Sequence, residues 1–546
     1  MARRERDADL PGRMSEHEAL MWSIEKDPWL NPSGASIAIL DQPMDMERFR
    51  QTMRAGIAKT PRLYQRVVPG FARLSTPAWV PDAEFDLDAH VRETALPAPG
   101  TDRQLLDLAA QLYSEPLDRT RPLWRFVVIN GLEGGRSAIW TIIHHSVSDG
   151  IGQLRMAELY QQMTRDDPAP DDVDLDEVIA EAIANAKVKE SGGDLSDSAV
   201  STIQDSATHL LRRQVGIGRR IAGELVMWPA DPSRVTHVAG TVVDTVRGAA
   251  RQLAPSDTEA AQGSPLWSKR SRHRRLDWVR ASVADLKAIG SASGATLNDV
   301  FMAGLAEAAF RYHADHDVSI ETVNSSFVLS TRTDKKSGGN AFTPVPVRLP
   351  AGKMTPRQRI AAVMSATETA KDEAQKTGGL TGMSGVANLL PTSVVTQTAR
   401  SAAGRIDFAT SNLRGAGFEL FCSGAKVLAS IPIGPVAGTG ANITALSLDG
   451  NLDIGIFSDP AAIGDPDAFR SHVEASFADM LDALAPAKPE KTPARKKSSA
   501  KKAGGTPPGK KARGTPPGKN AGGTSSGTST ASKKSSKKKS SSRTKK

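Results

Sequence analysis

The chain has little cysteine and no long apolar run. Cys422 is its single cysteine among 546 residues. That excludes an internal disulfide framework and any zinc site built from several thiolates, and it fits a reducing compartment. No apolar run reaches the roughly 18–20 residues a membrane-spanning helix needs. The opening residues, Met1-Ala-Arg-Arg-Glu-Arg-Asp, carry both charge signs and lead into no apolar stretch, so no secretory signal is expected. A cytoplasmic protein, soluble or peripheral to a membrane or lipid body, is the expectation.

The charge is unevenly placed. The chain holds 70 Lys and Arg against 61 Asp and Glu, a formal +9. Residues 486–546 alone carry 19 basic groups and one acid, Glu490, which leaves the body with 51 basic and 60 acidic residues. This tail lacks aromatics and repeats Gly505-Thr-Pro-Pro-Gly-Lys510 as Gly514-Thr-Pro-Pro-Gly-Lys519. Such a segment buries too little surface to offset its ordering entropy and reads as disordered. It suits non-specific contact with nucleic acid or anionic lipid. Before it, the sequence reads as mixed α/β in two lobes. Residues 1–165 form the first, 166–264 a partly helical connection, and 265–485 the second.

The most legible stretch is Pro122–Thr164. Leu123–Ile129 and Ser137–Ile143 read as two strands joined through Asn130-Gly131 and Gly134-Gly135, a hairpin. His144-His-Ser-Val-Ser-Asp-Gly150 follows, then a helical spacing of Ile151, Leu154, Ala157, Tyr160 and Met163, with Asp149 placed as N-cap. On an extended backbone His144 and His145 point to opposite faces, so only one of them faces a cleft. Histidine suits proton transfer near neutral pH. A pair packed in the core beside a helix cap is the competing reading. A second helix is marked by Leu297, Val300, Phe301, Gly304, Leu305 and Ala308 on one face. Thr296 and Asp299 have the spacing of a capping box there. Strands are expected at Ser326–Ser330, Lys426–Ile433, Ala441–Leu448 and Leu452–Phe457. His313 and His316 lack a third ligand, so no metal site is expected, and they read as exposed histidines at a helix end. In the stretch His209–Trp228 apolar and arginine side chains separate onto two faces, the pattern of a helix that lies on an anionic membrane or of an ordinary surface helix packed on its own lobe.

His144-His145-x-x-x-Asp149-Gly150 after a strand resembles the active-site motif of the coenzyme A-dependent acyltransferase superfamily. That superfamily includes chloramphenicol acetyltransferase, nonribosomal peptide condensation domains and the bacterial wax ester synthase/diacylglycerol acyltransferases. Further stretches resemble the last group: Met14-Ser15 with Glu18-Ala19 and Trp22, Pro122-Leu123-Trp124, Asn298-Asp299-Val300, Ser411-Asn412-Leu413, Gly424-Ala425, and Asn442-Ile443 with Ser447, Gly450 and Gly455. At 411–417 that group has prolines where this chain has Arg414 and Ala416, and its Ser-Tyr pair appears as Ser447-Leu448.

The resemblance implies two lobes, each like the chloramphenicol acetyltransferase fold, with the active site at their interface. It implies direct transfer of a long-chain acyl group from acyl-CoA, a co-substrate, to the hydroxyl of diacylglycerol or a long-chain alcohol. No metal or resident cofactor is implied. His145 is the expected general base, His144 and Asp149 support it, and Gly150 allows close approach. Asn298, Asp299, Trp124, and Ser411 and Asn412 in an expected loop, are candidate substrate contacts. Packing is the alternative for Trp124, and capping for Asn298 and Asp299. Two rival functions stand beside this one: a non-catalytic lipid-body scaffold with a basic tail, and a condensation-type acyltransferase with another acceptor.

Overall fold

The computed structural model describes residues 12–70, 76–190, 263–330, 342–376, 392–435 and 437–484. All lie within Met1–Ala487, one of two compact units. The expected helix at His209–Trp228, most of the connection between lobes and the basic tail lie outside the described residues.

The first half starts with helix α1 (Glu16–Ile24), closed by a capping box between Ser15 and Glu18. Strand β1 (Ser33–Leu40) and helix α2 (Met46–Ala58) follow, then a ribbon of β2 (Gln65–Val68) and β3 (Ala78–Pro81). Next come α3 (Leu87–His90), β4 (Val91–Ala95) and α4 (Asp102–Ser114). The expected hairpin is present as β5 (Trp124–Leu132) and β6 (Arg136–His144), paired antiparallel. Both strands are near-continuous apolar runs because both faces are covered. Asp149 caps α5 (Gly150–Ala157), and α6 (Leu175–Glu190) ends the half. Helix α5 stops short of the expected Met163. The chain beyond it instead pairs with Phe421, Gln162 and Phe421 exchanging backbone hydrogen bonds of 2.8 and 2.9 Å.

The second half opens with β7 (Arg275–Ser282), α7 (Val283–Ser293) and α8 (Leu297–Ala314). Strands β8 (Thr322–Ser330) and β9 (Phe342–Pro350) precede α9 (Pro356–Lys376) and α10 (Thr392–Ala403). The remaining elements are β10 (Phe408–Arg414), β11 (Phe421–Cys422), β12 (Ala425–Ile433), β13 (Ala441–Leu448), β14 (Asn451–Ser458) and α11 (Pro466–Leu484).

Two six-stranded mixed sheets result. The first runs β11-β12-β1-β6-β5-β4 and the second β7-β14-β13-β10-β8-β9. A boundary at residue 265 therefore does not divide the sheets cleanly. β11 and β12, from the second half, complete the first sheet, with β12 antiparallel to β1. Each sheet carries its own apolar core, and the first includes Cys422–Ile433. The exchanged strand is fixed where it crosses β14. Ser430 donates its N–H to the fully buried Asp453 at 2.8 Å, and Arg280 reaches both Asp453 and the carbonyl of Leu428. A Cβ on Gly455 would come within 2.0 Å of the Pro432 carbonyl oxygen, so only glycine lets the two strands cross this closely.

Candidate active site

β6 ends at His144 and the chain turns at once. The backbone N–H of His144 donates to Leu123 O at 3.0 Å and that of His145 to Pro32 O at 3.1 Å, which ties both residues to the sheet. Asp149 accepts the N–H of Gly152 at 2.8 Å, the capping bond that starts α5. Gly150 leaves room for β10: a Cβ there would press Leu413 at 3.3 Å.

The two imidazoles are 0% and 8% exposed. Burial disfavours the charged form of each. His144 is pushed down to about 3 by desolvation, with repulsion from His145 and Arg119 adding to it. His145 is pushed down to about 4 by desolvation; His17 lowers it further, and the Asp149 carboxylate opposes the fall. At neutral pH His145 is thus an unprotonated imidazole, ready to accept a proton. His144 is held differently. Its Nδ1 accepts the backbone N–H of Ser146 at 3.0 Å and lies 2.6 Å from that residue's hydroxyl, so its own proton sits on Nε2.

Helix α1 brings groups that the motif gives no hint of. His17 interacts electrostatically with both Asp149 and His145. The ring of Trp22 meets His144 edge-on at 6.4 Å. Glu25 Oε2 lies 3.6 Å from His144 Nε2 and 2.7 Å from Arg119, whose guanidinium stacks 3.4 Å over Trp22. More than a hundred residues separate α1 from the histidines, so no local pattern announces the contact.

Beside Gly150 lies a cavity of about 90 Å³. Met53, Phe126 and Met156 line it from the first half, and Leu413, Pro432 and Leu446 from the second. Its wall is apolar apart from a few groups, among them the hydroxyls of Ser36 and Thr141, which bond each other at 2.7 Å. Cys422, 1% exposed, has its thiol pushed up to about 12 by burial, which makes it inert as a nucleophile.

The other candidates scatter. Trp124 is buried, stacks on His90 at 4.5 Å and donates its indole N–H to Leu63 O, so its surface is spent on packing. Asp299 closes the capping box of α8 with Thr296 and takes a further bond from Thr367, leaving it committed to the helix end. Asn298 is half-buried, its amide 3.4 Å from Met302 Sδ. Ser411 and Asn412, expected in a loop, belong to strand β10, in register with Thr444 and Ala445, two and one residues before the Leu413 that faces Gly150.

His313, expected to be exposed, is fully buried. Its Nε2 lies 2.5 Å from the hydroxyl of Ser264 and its Nδ1 2.7 Å from Ala309 O. Ser264 in turn donates its N–H to the buried Asp407. The segment before Trp267 folds over the helix end, which a reading of α8 alone does not foresee.

Two mixed sheets, the first completed by strands from the second half of the chain, with a neutral histidine pair at the end of β6, define the two-lobed condensation-type acyltransferase fold. The wax ester synthase/diacylglycerol acyltransferase of Marinobacter aquaeolei VT8 superposes with a TM-score of 0.57 at 19% identity, covering 86% of this chain and 99% of that one. The first condensation domain of the calcium-dependent antibiotic synthetase superposes at 0.51 with 17% identity, covering 87% and 97%. Residues 14–301 match the wax ester synthase/diacylglycerol acyltransferase catalytic domain, and residues 338–481 the C-terminal domain of that family. The chain belongs to the wax ester synthase/diacylglycerol acyltransferase family. It is 29% identical over 473 residues to a Mycobacterium tuberculosis H37Rv protein provisionally named a diacylglycerol O-acyltransferase, across 85% of this chain and 90% of the relative. A further protein of that strain with the same provisional name is 30% identical over 418 residues, across 74% and 84%. Among the described residues no helix is long and apolar enough to cross a membrane.

Proposed function

We propose that the protein transfers a long-chain acyl group from acyl-CoA to the hydroxyl of diacylglycerol or a long-chain alcohol, with His145 as general base. The observation that carries this reading is an unprotonated, buried His145 in the turn that leads to Gly150 and the apolar cavity. His145 takes the proton from the acceptor hydroxyl as its oxygen attacks the thioester carbonyl carbon. The tetrahedral adduct collapses, the carbon–sulfur bond breaks, and the imidazolium returns the proton to the departing coenzyme A thiolate. No acyl-enzyme is needed, in keeping with the inert thiol of Cys422.

In this reading the cavity, lined from both halves, takes the hydrocarbon part of a substrate, and the active site lies between the lobes. Burying a sixteen-carbon chain yields up to ~12 kcal/mol at ~0.8 per methylene, so such substrates partition into membranes and lipid bodies. The enzyme works at their surface, with the basic residues of 486–546 adding attraction to anionic lipid or nucleic acid. Ser411 and Asn412, beside Leu413, and Asn298 serve in this reading as substrate contacts.

The test is acyl transfer from labelled palmitoyl-CoA by purified protein, with dioleoylglycerol and hexadecanol offered side by side. Turnover with at least one acceptor is expected. Release of free coenzyme A without ester formation, or no turnover with either, contradicts the reading.

A further inference from the structure

The pair of histidines raises the question of what holds the first. His144 is fully buried, and its tautomer decides how the turn after it is built. With the proton on Nε2, Nδ1 accepts the N–H of Ser146 at 3.0 Å. That bond fixes the plane of the peptide between His145 and Ser146, and hence the direction in which the His145 side chain leaves the backbone. With the proton on Nδ1 instead, two N–H groups would face each other across 3.0 Å, and the peptide would have to rotate.

Among the described residues Nε2 of His144 has no hydrogen-bond partner. The group facing it is Glu25, at the end of α1, with a side chain 10% exposed. At 3.6 Å the contact is an ion–dipole attraction rather than a hydrogen bond, and it acts where little water screens it. Burial pushes the Glu25 carboxyl up, while the Arg119 guanidinium 2.7 Å away pulls it back toward the charged form. Arg119 is itself fixed by stacking on Trp22 and by a 2.9 Å bond to the Trp22 carbonyl. Helix α1 thus ends in a braced carboxylate aimed at the back of the motif.

We propose that Glu25 is a positioning residue: its carboxylate holds His144 as the Nε2–H tautomer, and through the His144–Ser146 bond it keeps His145 aimed at the acceptor hydroxyl. The pairing has the logic of a carboxylate that orients a metal-bound histidine, where loss of the outer partner costs ~10–100-fold. Asp149 serves His145, and Glu25 serves His144. The kinetic part of this inference rests on the acyl-transfer reading above; the tautomer does not.

The experiment compares the wild type with Glu25→Gln and Glu25→Ala in the full-length protein. Nitrogen-15 NMR of histidine-labelled protein, with the His144 signals assigned by their loss in His144→Ala, reports the tautomer without any substrate. The expected result is Nε2–H in the wild type and in Glu25→Gln, whose amide oxygen still accepts. Glu25→Ala shows a mixture of tautomers or Nδ1–H. In the palmitoyl-CoA assay kcat falls ~10–100-fold in Glu25→Ala, while KM for palmitoyl-CoA stays within about twofold, and Glu25→Gln recovers most of the loss. An unchanged tautomer in Glu25→Ala overturns the proposal, whatever the assay reports. So does a kcat loss of equal size in both variants, which would mark Glu25 as a structural ion-pair partner of Arg119. Should Glu25→Ala not fold, the tautomer in Glu25→Gln decides: Nδ1–H there overturns the proposal, and retained Nε2–H with near-normal kcat supports it.

Discussion

Two buried histidine clusters among the described residues, one in each half, share an inventory but not a use. In the first half, His144 and His145 have a serine, Ser146, and two carboxylates, Asp149 and Glu25, close by. In the other half, His313 sits against Ser264, which is tied to Asp407. By residue type the His313 cluster is nearer to a nucleophilic triad than the His144–His145 cluster is. Its polar atoms, however, are committed inward. His313 spends one nitrogen on Ala309 O and the other on Ser264, while Asp407 accepts backbone N–H groups from Ser264 and Asn324. In the His144–His145 cluster one imidazole faces a carboxylate, and the other sits in the turn that leads to Gly150, which lines the cavity. A neutral imidazole in a turn that leads to a cavity suits proton transfer better than one whose two nitrogens are both bonded inward, and composition alone does not tell the two apart.

Removing a member of the closed cluster should damage stability and leave turnover alone. His313→Ala leaves a void and takes from the Ser264 hydroxyl its imidazole partner, leaving only the Trp267 N–H, an expected loss of about 2–4 kcal/mol. Chemical denaturation reads that loss, and kcat per folded molecule should match the wild type. A parallel fall in kcat would break the distinction between the clusters.

Asp407 sharpens the comparison through pH. Desolvation raises its carboxyl to about 6, against the bonds from Asn324 and Ser264 that lower it. A carboxyl raised on folding favours the protonated native state, so its contribution weakens as pH climbs from about 4 to 6. Relative to Asp407→Asn, the wild type should lose roughly 1–3 kcal/mol over that window. A pH-independent difference between the two would show that Asp407 stays charged in the fold.

Asp149 has a smaller stability role, that of one helix cap. Asp149→Ala should cost about 1 kcal/mol in denaturation. Because the same carboxylate faces His145, activity should fall by more than the lost folded fraction explains. Equal losses of fold and activity would reduce Asp149 to a cap.

The smallest expected change is in the pH–rate profile. With His145 lowered to about 4, the base is unprotonated across roughly pH 5.5–8. kcat/KM should vary less than about twofold there on account of this group, whereas an ordinary histidine near ~6.5 would impose a ~10-fold fall by about pH 5.5.

Local patterns carried much of the architecture. The β5–β6 hairpin, the Asp149 cap and the Thr296–Asp299 capping box each depend on residues a few positions apart, and each is where the sequence places it. What the sequence hides is long-range. Nothing in Lys426–Ile433 says that this strand pairs with β1, some four hundred residues earlier in the chain. Ser411 and Asn412 have the character of loop residues, yet pairing with β13 draws them into a parallel strand. His313 reads as exposed at a helix end until Ser264 and Trp267 cover it. In the His144–His145 cluster the motif itself was legible, while His17 and Glu25 were not, because α1 reaches the histidines only through the fold.

The central claim is that His145 is a base and His313 is not. Initial rates of palmitoyl transfer by His145→Ala and His313→Ala, each normalised to folded protein, test it most directly. The account predicts a ~10²–10⁴-fold loss for His145→Ala with an unchanged cooperative melt, and wild-type turnover for folded His313→Ala. Wild-type turnover in His145→Ala, or an equal loss in both variants, would contradict it.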